Sequence, residues 1–130
     1  MKFNFENLIV WQTAIGLSKR IYEVTNTFPR NELYGLTNQA RRASTSIALN
    51  IAEGKGRRGI KEFSHFLYIA KGSLLELVTC IELSTVLGYI DDDTNQELRQ
   101  STYVLLKKLS GLIKTINSRS SEAQPVTALL

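Results

Sequence analysis

Cysteine, proline and histidine are all scarce in this 130-residue chain, which holds one cysteine, Cys80, two prolines, Pro29 and Pro125, and one histidine, His65. A lone thiol forms no intrachain disulfide, so the fold needs no oxidising compartment. Two prolines leave nearly the whole stretch between them free of that helix breaker. No uninterrupted apolar run approaches the roughly 18 residues of a membrane span, which excludes a transmembrane helix. The opening MKFNFENLIVWQ is broken by Asn4, Glu6 and Asn7 and has no signal-type apolar core. The expected address is the cytoplasm, with no membrane contact.

What remains is ordinary for one soluble domain: 43% hydrophobic and 22% charged residues. That composition argues against a disordered tail or a fibre. The net charge is only +4, from 16 basic and 12 acidic residues. Its distribution is more informative. Between Arg41 and Lys71 stand Arg41, Arg42, Lys55, Arg57, Arg58, Lys61 and Lys71 against only Glu53 and Glu62, a net +5. The rest of the chain sums to −1.

Apolar residues recurring every three or four positions predict four helices. The first spans about 8–25, with Trp11, Ile15, Tyr22 and Thr25 as its stripe, and Pro29 stops it by disfavouring helix at Phe28. The second starts near Glu32 and carries Leu36, Ala40, Ala43, Ile47 and Ile51; Gly54 and Gly56 supply the left-handed cap expected at its end. The third runs from about Ile60 to Leu87 on Phe63, Phe66, Leu67, Ala70, Leu74, Leu77, Val78 and Ile81, and Gly88 closes it. Asp91, Asp92 and Asp93 favour the N-terminus of a fourth, which carries Leu98, Leu105, Leu109, Leu112 and Ile116. No segment alternates with period two. Four long helices on short connections predict an all-α, antiparallel up-down-up-down four-helix bundle over residues 1–118, with 119–130 as a flexible C-terminal tail.

Few strings carry chemistry. Gly54-Lys55-Gly56-Arg57-Arg58-Gly59 spells G-x-G-x-x-G, but the dinucleotide fingerprint needs a strand before it, and here a helix precedes. The same residues suit an anion site, since glycines let backbone approach a phosphate and the third helix begins just beyond. A basic turn with solvated charges is the equal alternative. Gln39, Arg42, Ser46, Asn50 and Glu53 share one face of the second helix, as a hydrogen-bond network within or between chains, as plain surface or as a ligand site. Glu62-x-x-His65 matches a di-iron helix motif, but that site needs two such motifs and this chain has one histidine. No metal and no cofactor are expected. Cys80 stands one step from core residue Ile81 and is expected to be a structural thiol. Nothing here makes an enzyme.

Several strings resemble the 23S-rRNA intervening-sequence protein family: LIVWQTA from Leu8, FPRNELYGL from Phe28, QARRASTSIALNIAEG from Gln39, FSHFLYIAKGSLLE from Phe63 and LGYI from Leu87. Gly59-Ile60 departs from the Ser or Thr expected at the start of the third helix, which weakens that helix's N-cap. The resemblance implies a four-helix bundle that forms a homopentameric ring. It also implies kinship with the accessory protein of diversity-generating retroelements, a basic ring thought to bind nucleic acid and a reverse transcriptase. It brings no catalytic residues. The combined expectation is a non-enzymatic RNA- or DNA-binding protein in which Arg41, Lys55, Arg57, Arg58 and Lys61 meet phosphates. Gln39, Arg42, Asn50 and Glu53 would hold structure or interface. The alternative is a scaffold for a protein partner, such as a reverse transcriptase or a ribosome-associated factor.

Overall fold

Short breaks after residues 25, 55 and 86 cut the chain into four helices. The computed structural model describes residues 1–121, with side chains through Arg119. A 3-10 turn at Asn4–Asn7 leads into α1 (Ile9–Thr25); a second at Arg30–Glu32 precedes α2 (Leu36–Lys55); α3 (Ile60–Val86) and α4 (Asp92–Ser121) follow, and no strand occurs among the described residues. Cross-helix bonds fix the antiparallel order. Arg41 near the start of α2 donates from Nε to Thr25 Oγ1 at the end of α1, at 2.9 Å. Glu82 late in α3 accepts from Asn95 Nδ2 early in α4, at 3.0 Å. Arg20 late in α1 makes a two-pronged pair with Glu97 early in α4, at 2.7 and 2.9 Å. Neighbours in sequence pack on one another, and α1 meets α4 to close the bundle.

The core comes from one stripe of each helix. Ile47, Ile51, Leu67, Leu74, Leu77, Leu98, Leu105, Leu109 and Ile116 are fully buried within it. The expected stripes of α2, α3 and α4 are the ones that turn inward. On α1 the stripe is different: Val10, Ala14, Leu17, Ile21 and Val24 are buried, and of the expected residues only Thr25 joins them, while Ile15 and Tyr22 are 44% and 45% exposed and Trp11 is half-buried. Apolar residues lie all round α1, so its period supports two stripes, and packing selects one.

The helix ends bring further corrections. Glu32 lies ahead of α2, in the 3-10 turn. Its carboxylate accepts from the Leu36 N–H at 3.2 Å and from the Tyr89 hydroxyl at 2.9 Å, so it caps α2 and ties it to the turn after α3. Tyr89 also packs its ring on Phe28, with centroids 5.5 Å apart. The left-handed glycine cap is absent from α2: Gly56 has φ −82°, and Gly54 lies inside the helix. The left-handed cap belongs to α3, where Gly88 has φ +84° and Tyr89 N–H reaches Ser84 O at 2.8 Å. Asp91 caps α4 as expected, accepting from the Thr94 N–H at 2.8 Å. The fourth helix continues through Ser121, past the expected end at 118, and residues 122–130 of the expected tail lie outside the described residues.

Gly54 has a packing role. A Cβ there would stand 2.7 Å from Phe66 Cβ and 3.3 Å from the Phe63 carbonyl oxygen. With Ala40, Ala43 and Ala48 it gives α2 a small-residue face on which its neighbours close. Gly54→Ala is therefore expected to cost about 1–3 kcal/mol by overpacking. Gly72→Ala, with open space at its Cβ, gains up to about 1 kcal/mol of helix propensity. Urea denaturation midpoints of the two variants separate the effects.

Three carboxylates at the α3–α4 end sit below their ordinary values. Asp91 is held down by the Thr94 backbone and side chain, Glu82 by hydrogen bonds from Asn95 and then Arg99, and Glu97 by its bonds from Arg20. A folded-state value below the unfolded one contributes stability above the ordinary carboxylate range of about 4 and loses it as pH falls through the folded value. The urea midpoint is expected to drop on acidification below that range. Replacing Glu82 and Glu97 together by Gln flattens that drop.

Candidate functional site

The basic segment of residues 41–71 is divided by the fold. Arg41 is half-buried and engaged, with its guanidinium 4.7 Å from the Tyr22 ring centroid in addition to the bond to Thr25. It lies 14 residues up α2 from Lys55, about 21 Å at 1.5 Å per residue. Lys55, Arg57, Arg58 and Lys61 do come together, at the α2–α3 turn. Lys55 is half-buried with its ammonium 5.7 Å from the Phe63 ring centroid, and desolvation holds its pKa below the usual lysine value. Arg57 pairs with Glu53 and lies 5.0 Å from the Phe66 ring. Arg58 and Lys61 are exposed and enter none of the ion pairs among the described residues. Gly59 precedes α3 without a side chain to cap it, as the sequence implied.

The polar row of α2 turns toward α3. Asn50 Nδ2 donates to Ser46 O at 2.8 Å and Ser46 Oγ at 3.0 Å, and Ser46 Oγ meets Ser73 Oγ at 2.9 Å. Asn50 therefore holds α2 to α3 through a serine pair, and Glu53 holds Arg57. Gln39 and Arg42 are exposed and line a cleft of about 450 Å³ with Tyr34, Asn38, Ser46 and Glu76. A more apolar hollow of about 280 Å³ adjoins it, sharing Gln39 and Glu76 and reaching Leu36, Cys80 and Leu83. Cys80 is buried, and desolvation, with Glu76 second, raises its thiol pKa. That suppresses the thiolate a nucleophile would need.

Glu62 and His65 are both exposed, and the His65 ring lies against Phe66 at 5.5 Å. Among the described residues no three His, Cys, Asp or Glu side chains gather as metal ligands. No described helix is long and apolar enough to cross a membrane.

A second basic contribution escaped the sequence reading. Residues 98–121 hold Arg99, Lys107, Lys108, Lys114 and Arg119 and no acid. The balance of −1 outside residues 41–71 averaged this run with the acids at 91–93 and hid it. The antiparallel fold places the C-terminal half of α4 at the same end as the α2–α3 turn, so that Lys114 faces Lys71 and Tyr68 across one groove.

These features define an all-α four-helix bundle with a basic end and a polar seam between α2 and α3. The family model described as 23S rRNA-intervening sequence protein matches residues 6–111, and the chain belongs to that family. Its fold is similar to a crystal structure of a protein with unknown function from the S23 ribosomal protein family of Bacteroides thetaiotaomicron. That similarity has a TM-score of 0.76 at 22% identity and covers 82% of this chain and 96% of the other. No curated protein matches the chain. The family's name records a genomic setting and no reaction.

The serine pair makes a measurable claim. Ser46→Ala and Ser73→Ala are each expected to lower stability by about 1 kcal/mol. The double variant should cost less than the sum, because the second substitution removes a partner already lost. A urea double-mutant cycle reads this coupling.

Proposed function

We propose that the chain is a non-enzymatic, self-associating bundle that binds the phosphate backbone of nucleic acid through its basic end. The observation that carries this is the clustering of Lys55, Arg57, Arg58 and Lys61 at the α2–α3 turn, at the end of the bundle toward which the acid-free half of α4 runs. Arg58 and Lys61 supply the charge most open to solvent. Lys55 and Arg57, packed on Phe63 and Phe66, add positive charge at fixed positions. Such contacts give affinity with little sequence preference and strong salt dependence. Arg41, bonded to Thr25 far up α2, has no part in this reading.

Self-association multiplies the effect. In the homopentamer that the family resemblance implies, the basic end recurs five times and a weak patch becomes a strong field. The α2–α3 cleft and its apolar neighbour, with exposed Tyr34, Leu49 and Leu83 on or beside them, favour this face for a second copy. The same apolar exposure favours a second reading, a scaffold for a protein partner. Pull-down from the native host after nuclease treatment distinguishes the two, because a partner retained without nucleic acid belongs to the scaffold reading.

Anisotropy titrations with structured RNA and duplex DNA at two salt concentrations test the main reading. Binding is expected to weaken steeply with salt, and the pair Arg58→Ala and Lys61→Ala to weaken it further and flatten the salt slope. Arg41→Ala should leave binding unchanged. No binding at low salt overturns the reading. Light scattering tests assembly separately, with a mass five times that of the 14.6 kDa chain expected and a monomer contradicting it.

A further inference from the structure

The groove between α3 and α4 carries a chemistry different from that of the turn. It has a volume of about 500 Å³ and is lined by Tyr68, Lys71, Ser110, Ile113, Lys114 and Asn117. Ile113 is buried and forms an apolar floor, while Tyr68 on one wall is 53% exposed. Lys107, Ser110, Lys114 and Asn117 recur at three- and four-residue steps, so they share one face of α4. Lys61, Tyr68 and Lys71, at steps of seven and three, share one face of α3. Farther along α4, Tyr103 is 58% exposed with the Lys107 ammonium 5.4 Å from its ring. Carboxylates stay away: α3 has none between Glu62 and Glu76, and α4 has none from Leu98 to Ser121.

We infer that this groove binds an unpaired polynucleotide strand, with a base stacked on Tyr68 and phosphates held by Lys71 and Lys114. The inference rests on the reading that the chain binds nucleic acid, and adds which form it takes. Charge complementarity selects a polyanion. An exposed aromatic ring between ammonium groups then selects one with flat faces, because base–aromatic stacking is strong and indifferent to sequence. Stacking on Tyr68 needs a base with a free face, which an unpaired strand offers and a duplex, with its bases stacked on one another, does not. Hydroxyl and amide groups at Ser110 and Asn117 offer hydrogen bonds to sugar and phosphate. Lys61 links the groove to the α2–α3 turn, so one strand can engage both.

The test compares uridine and thymidine oligonucleotides, which separate RNA from DNA as the strand, with a duplex of equal charge. Tyr68→Ala is expected to weaken single-strand binding about 5- to 100-fold and to leave duplex binding unchanged. Tyr68→Phe keeps the ring and should bind as the parent does. Lys71→Gln and Lys114→Gln should each reduce the single-strand salt slope by about 0.7. Circular dichroism and urea midpoints confirm that the variants fold. The groove proposal falls, with the wider reading intact, if Tyr68→Ala binds like the parent while Arg58→Ala and Lys61→Ala do not. It falls equally if Tyr68→Phe loses as much as Tyr68→Ala. If the parent protein binds neither strand nor duplex at low salt, both fall together.

Discussion

The close approach of α2 to α3 at Gly54 is the constraint on which the rest of the bundle depends. With hydrogen in place of a side chain, the end of α2 sits against Phe66 Cβ and the Phe63 backbone. That contact fixes where α3 begins, and hence the register in which Phe63, Leu67, Ala70 and Leu74 meet Ala43, Ile47 and Ile51. It also fixes the cations. Lys55 and Arg57 closely follow Gly54 in the chain and fold over the same two aromatic rings. A packing requirement thus positions the charged end.

The two ends of the bundle are electrically unlike. At one, Glu32, Glu82 and Glu97 are consumed in holding helices together and Asp91 in capping α4, each paired with a hydroxyl, an amide, a guanidinium or a backbone N–H. At the other, the cations outnumber the acids and several face solvent. Buried or bonded carboxylates contribute to the fold, whereas exposed ammonium and guanidinium groups contribute little to it and remain available to an anion. A net charge of only +4 therefore conceals a strong separation of charge along the bundle axis.

Much of this was legible in the residues. Four helices, their order and the inward stripes of α2, α3 and α4 follow from a clear 3.6-residue period. The Asp91 cap follows from aspartates placed just ahead of an apolar-periodic run. The face of α1 was not legible, because Ile15 and Tyr22 continue one apolar stripe and Ala14, Leu17 and Ile21 another, and period alone does not rank them. Nor was the role of Gly54, since a glycine near a helix end serves equally as a cap or as a contact. Of the five cations assigned to phosphate, four meet at the turn. Arg41 belongs to the same helix but is drawn away by Thr25 and Tyr22, partners distant in sequence.

The sequence by itself determined the class of protein and the composition of each helix, because periodicity, capping and charge counts are local properties. Only the tertiary structure decided which of those local features share a surface. Lys71 and Lys114 stand 43 positions apart in the chain, and antiparallel packing sets them on opposite walls of one groove beside Tyr68. Carboxylates near a basic run in sequence can end at the far pole of the bundle, as Asp91, Asp92 and Asp93 do relative to Lys107, Lys108, Lys114 and Arg119. Charge in a folded chain is summed over space, and the helix length that separates or unites two segments is set by how helices pack.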